Sequence, residues 1–117
     1  VDIRESPLHV ERSVRGRTVV VTVVGEVDAN TAPPLHDGFG DALALVAPGG
    51  TLVVDLRDTT FFAAAGVTAL VRLHKATGAA GVSLRLVATR RILRVLRISG
   101  TLVMFTPLSV PSPRSPG

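Results

Sequence analysis

Two pairs of carboxylates stand close in the sequence, Glu26 with Asp28 and Asp55 with Asp58, each beside the end of an apolar run. Paired carboxylates of this kind can hold a cation or divide acid and base roles. The same residues are also the usual formers of turns and caps, and that is the preferred reading here. His9, His36 and His74 fall on different segments with no metal-ligand spacing, and read as surface or boundary residues. Cysteine is absent, which removes disulfides, thiolate metal sites and a cysteine nucleophile. Gly38-Phe39-Gly40 holds two glycines of a dinucleotide turn, but it lacks the third and sits inside a helical pattern. No phosphate-loop motif and no Gly-x-Ser-x-Gly elbow occurs. With no nucleophile–base pair or metal cluster to name, the expectation is a protein without catalytic residues, metal or cofactor, and not an enzyme.

Arg90, Arg94 and Arg97 recur at i, i+4 and i+7, with Arg91 beside them, and so form one basic helix face. The charge of the whole chain is divided in the same sense. Residues 1–58 carry nine acids and five bases; residues 59–117 carry eight bases and no acid, the last acid being Asp58. A basic side attracts an acidic partner at long range, and salt weakens that attraction. The plainer reading is a solvated outer face, which also sets Arg97 at the negative end of a helix. Four Phe with no Trp or Tyr argue against a base-stacking platform, and no helix-turn-helix pattern is visible. Nucleic acid is therefore not the expected partner, although a binder of nucleic acid or acidic surfaces remains the alternative use of this face.

These residues need elements to position them. A length of 117 residues suits one domain, and a hydrophobic content of 46% excludes a disordered chain. Apolar blocks such as Val19–Val21 and Val23–Val24 fall far short of the roughly 20 residues of a membrane helix, so no membrane partner and a cytoplasmic location are expected. The chain begins with Val rather than Met, which implies a start segment outside this numbering. Residues 108–117 hold three prolines, Pro111, Pro113 and Pro116, and read as a disordered tail after a domain of residues 1–107.

His9–Arg15 alternates like a half-exposed strand, and Gly16-Arg17 reads as a turn. Thr18–Val24, Thr51–Leu56 and Ser83–Ala88 are apolar runs of the kind buried on both faces, and Val103–Phe105 is a further short candidate strand. Helices are expected over about Thr31–Val46, capped by Asn30 or Thr31, over about Ala64–Thr77, closed by Gly78, and over about Arg90–Ser99, stopped by Gly100. Phe61 is expected to anchor its loop in the core. Strands alternating with helices give an α/β class: a mixed, mostly parallel sheet of four to five strands with three or more helices.

Two blocks then stand out, Gly25-Glu26-Val27-Asp28-Ala29-Asn30-Thr31-Ala32 and Val53-Val54-Asp55-Leu56 followed by Phe61-Phe62-Ala63-Ala64-Ala65-Gly66-Val67. Each runs from a strand through a loop into a helix. Together with Leu84–Val87 and the Arg-rich helix ending Ser99-Gly100, they make the chain resemble the STAS domain family, the anti-sigma factor antagonists. Members look like Gly-Glu-(Leu/Val)-Asp-x-x-Thr-Ala in the first block and x-Phe-(Leu/Met)-Asp-Ser-Ser-Gly in the second. The resemblance covers about residues 8–107. It implies a partner switch: the protein binds an anti-sigma factor, usually a serine-kinase-like ATPase, and phosphorylation of the serine after Asp breaks the complex. It also implies a partner surface around Asp28, Asn30, Thr31, Thr60, Phe62, Ala63, Ala64, Ala65, Gly66 and Val67.

The pattern fails at its centre. Asp-Ser-Ser-Gly is Ala63-Ala64-Ala65-Gly66, and the phosphoserine position is Ala64, which has no hydroxyl to modify. Three readings follow. The protein is a constitutive antagonist; or its switch has moved to Thr59, Thr60 or Thr68; or it is a scaffold or sensor module, with other STAS proteins among its partners.

Overall fold

β-Branched residues dominate the two central strands, and their alternation decides which face is buried. The computed structural model describes residues 7–105. In chain order these form β1 (Leu8–Arg15), β2 (Thr18–Val27), α1 (Ala32–Ala44), β3 (Thr51–Phe62), α2 (Ala64–Ala80), β4 (Ser83–Val87) and α3 (Arg90–Ile98), followed by a 3₁₀ turn at Leu102–Phe105. The four strands make one sheet in the order β1-β2-β3-β4. The β1–β2 pair is an antiparallel hairpin, and β2–β3 and β3–β4 are parallel. α1 joins β2 to β3 and α2 joins β3 to β4, the crossovers that parallel strands require, and α3 follows β4. The expected α/β class and mixed, mostly parallel sheet are those observed. The expected tail at residues 108–117 lies outside the described residues.

The core is one cluster. Val19, Val21 and Val23 of β2 and Leu52, Val54 and Leu56 of β3 meet Leu35, Phe39 and Ala42 of α1, Leu70 and Leu73 of α2, and Ile92 and Leu96 of α3. The central strands are not buried on both faces, as their unbroken apolar runs suggest. Val20, Thr22 and Val53, of opposite parity, are only half-buried, and Arg85 beside them is exposed. The helices cover one face, and β-branched side chains on the open face serve the strand conformation rather than the core.

Element ends and one element type also differ, and β2 runs on past the expected end at Val24 to Val27. β3 runs on from Leu56 to Phe62, so the expected loop there is strand. α2 passes through Gly78 and ends at Gly81, whose φ of 68° is the left-handed cap that only glycine adopts cheaply. Val103–Phe105 is 3₁₀ turn rather than strand; only Phe105 is buried there, edge-on to the His74 ring at 5.7 Å.

Candidate functional site

The site forms where β2 and β3 end side by side. Near their ends the pairing of the two strands bulges: the register shifts between Thr22 and Val24 and again between Gly25 and Glu26, with one extra residue in β3 each time. Gly25 has φ 108°, and a Cβ there would stand 2.0 Å from the Pro7 carbonyl oxygen. The approach is used, since the Glu26 amide donates to that oxygen at 2.8 Å. Glycine at this position is thus a requirement of the close approach to Pro7.

Beyond the bulge the chain turns on two side chains. Asp28 Oδ1 accepts from the amides of Asn30 at 2.9 Å and Thr31 at 3.0 Å. Thr31 Oγ1 accepts from the Asp28 amide and donates to the Glu26 carbonyl, both at 2.9 Å. Thr31 stands at the N-cap of α1, but its hydroxyl makes no capping bond to the helix, contrary to expectation; the loop uses it instead. It is 5% exposed. Asp28 is half-buried and Asn30 exposed.

The second block closes against the first. Val27 pairs with Phe62, and the Ala63 amide donates to the Val27 carbonyl at 2.9 Å. Asp28 and Ala63 therefore leave adjacent strand ends. The two phenylalanines are reversed relative to expectation. Phe62 is 8% exposed and belongs to the core, whereas Phe61 is 53% exposed. The reason is pairing: β3 continues to Phe62, which lies beside buried Val27, whereas Phe61 lies beside exposed Glu26. Gly66 completes the fit, because a Cβ there would come within 2.6 Å of the Phe62 ring and 2.7 Å of Val27.

α2 starts at Ala64 with no side-chain cap and no acid in its first turn. Ala64 is exposed, Ala63 and Ala65 are half-buried, and Gly66 and Val67 are buried. Thr60 is exposed on β3 and does not cap the helix. Thr59, also in β3 rather than in a loop, donates its hydroxyl to the Leu56 carbonyl at 2.9 Å. Thr68 is exposed one turn into α2.

Ala64, Val67 and Thr68 form one wall of an open groove of 390 Å³, and Val95, Ile98 and Ser99 of α3 form the other. Ile98 is 78% exposed. Sequence reasoning missed this wall. Its signal was there: Val95 and Ile98 are apolar residues lying off the inward stripe of Ile92, Leu93 and Leu96. α3 is capped by Thr89, whose Oγ1 accepts from the Ile92 amide at 3.3 Å. Arg90, Arg91, Arg94 and Arg97 are all exposed, and none has a carboxylate within ion-pair distance among the described residues.

The other candidate groups separate. Arg57 donates to Asp55 through Nε at 3.0 Å and a terminal nitrogen at 2.8 Å, and its amide adds a third bond at 3.1 Å. Burial pushes the Asp55 carboxyl up, but these bonds and the guanidinium charge outweigh it and hold its pKa below the ordinary carboxylate value. Asp55 thus has a structural partner. His9 pairs with Glu11 at 2.8 Å. Among the described residues no three His, Cys, Asp or Glu side chains group as a metal site, and no helix is long and apolar enough to cross a membrane.

The fold matches known structures. An anti-sigma factor antagonist from Mycobacterium paratuberculosis is similar over 91% of this chain and 87% of that chain, with a TM-score of 0.75 and 28% identity. The Bacillus cell fate determinant SpoIIAA in its phosphorylated form is similar over 91% of this chain and 92% of its own, with a TM-score of 0.65. The anti-sigma factor antagonist SpoIIAA in its unphosphorylated form gives a TM-score of 0.60 over 91% and 89%. At 17% and 19% identity, these last two likenesses bear on the fold alone. A search of curated protein sequences gives no match. The family model described as "Mlab, STAS domain" matches residues 10–104, and over that length the chain belongs to the STAS domain family.

Proposed function

We propose that this protein is a cytoplasmic anti-sigma factor antagonist that binds its anti-sigma factor through the joined strand ends and the start of α2, and that it is constitutive. The observation that carries this reading is the Ala63–Val27 hydrogen bond. It sets the Asp28 loop beside an exposed helix start that bears Ala64, the position to which the resembled family pattern assigns the modified serine. The partner is a serine-kinase-like ATPase. It meets a neutral methyl at Ala64, which no kinase can charge. Exposed Asn30, Thr60, Phe61 and Ala64 make the contact; Thr31, Phe62, Gly66 and Val67 hold the surface from beneath. Transfer of the switch to Thr59 or Thr60 is disfavoured, since both lie in β3 rather than in a loop that a kinase could extend.

The test measures binding of a serine-kinase-type anti-sigma factor from the source cell. Wild type is expected to bind equally with and without ATP. Ala64→Asp is expected to bind roughly 10-fold more weakly, because charge enters a packed interface. Ala64→Ser is expected to accept phosphate and then release the partner. Equal affinity of wild type and Ala64→Asp would remove this surface from the contact. The missing hydroxyl also favours a second reading, a non-switching STAS module within a larger assembly. Recovery of the same STAS proteins from lysate by wild type and Ala64→Asp alike, with no ATPase, would select it.

A further inference from the structure

We propose that the groove between α2 and α3 receives an amphipathic helix of the partner protein, with apolar residues on one face and carboxylates along one flank. The inference rests on the antagonist reading for the partner's place, since Ala64 lies in the groove wall. Its chemistry comes from α3. No described large apolar side chain is more exposed than Ile98, and Val95 stands one turn before it. Both line the groove. Arg91 and Arg94 precede Ile98 by seven and four residues, so they share its ridge and continue the apolar wall as a cationic one.

This ridge has no neutralising group of its own. Neither α2 nor α3 contains an acid, and no acid follows Asp58 anywhere in the chain. An apolar trough walled by two helices fits the i, i+3, i+4, i+7 anchors of a third helix. The unpaired guanidiniums select carboxylates beside those anchors, and a carboxylate accepts both arms of an arginine fork. A nucleic acid satisfies the arginines but leaves Ile98 against phosphate. A lipid surface asks for aromatic as well as large apolar side chains, and no aromatic residue lines this groove.

The probe is a fluorescein-labelled helical peptide of about 18 residues, with Leu at the anchor positions and Glu along one flank. Two control peptides replace Glu by Lys, or keep the composition and scramble the Leu spacing. Anisotropy titrations of the full chain are expected to favour the Glu peptide over both controls by roughly 10-fold or more. Ile98→Ser and Arg94→Glu are each expected to lower that affinity by roughly 10-fold, while Arg85→Glu, the same charge change on exposed β4, costs less than about 2-fold. Ile98 and Arg94 are exposed, so both variants are expected to keep the wild-type far-ultraviolet spectrum.

Equal binding of the scrambled peptide, or an Arg85→Glu loss as large as that of Arg94→Glu, would overturn the proposal in favour of diffuse charge attraction. Binding of anionic vesicles or duplex DNA that Ile98→Ser abolishes, with no preference among peptides, would overturn it in favour of those partners. The peptide assay contains no anti-sigma factor. Failure of the antagonist reading therefore leaves its result standing, and failure here leaves the Ala64→Asp result standing.

Discussion

Gly66 and Phe62 depend on each other: the ring fills the space that a Cβ at Gly66 would need. Phe62→Ala is expected to cost about 3 kcal/mol in urea unfolding, the usual range for emptying a core aromatic site. Phe61→Ala is expected to stay within about 0.5 kcal/mol of wild type while weakening partner binding. Equal stability losses would mean that both rings serve the core. The reversed pair could not be read from strand alternation, because the pairing with β2 slips twice between Asp55 and Phe61. The run of Arg57, Asp58, Thr59 and Thr60 hid it, since polar residues in a row imitate a loop. Asp55 was read as a turn former, and its ion pair with Arg57 was not visible from spacing. That pair gives a pH signature. The Asp55 pKa lies below its unfolded value, so its stabilisation is complete above the ordinary carboxylate range and is lost as pH falls through the depressed pKa. The stability gap between wild type and Asp55→Asn is expected to be widest at about pH 7 and to close on titration below about pH 4. A gap independent of pH would show that the carboxylate charge contributes nothing.

At the level of elements, the Asp28–Thr31 turn determines how α1 departs from β2. Thr31→Val keeps the shape but removes a hydroxyl that serves one donor and one acceptor. The expected loss is about 1–2 kcal/mol, with faster amide exchange at Asp28. Unchanged exchange would mean that Asp28 alone holds the turn. Existence and order of the four sheet strands and three α-helices could be read from apolar periodicity and breakers, because those signals are local. Their ends could not, because ends depend on neighbours. Gly78 is exposed with open space around it, so the helix passes through and stops only where Gly81 turns left-handed. The α2–α3 groove was invisible for the same reason: Val95 and Ile98 acquire meaning only once α3 lies beside the start of α2.

Across the whole molecule, charge is sorted by sequence, and the basic half includes both groove-forming helices. Association with the proposed anti-sigma partner is expected to slow by roughly 10-fold between about 50 and about 300 mM salt, with dissociation less affected. Stopped-flow rates independent of salt would leave the arginine face as a solvated surface. The family could be read from the sequence because its blocks sit at strand ends that the fold forces together. What could not be read is which of those residues touch solvent. The order of the sheet carries a different consequence. Each strand pairs with the one before it, so no later strand must insert between two already joined. During synthesis the sheet can grow edge by edge as the chain emerges, hairpin first. α3 is the last helix in that order, and the groove has only one wall until α3 docks. A nascent chain therefore has a paired sheet before it has both walls of the groove, and the helix proposed to dock there would find its seat only once nearly all of residues 7–105 have been made.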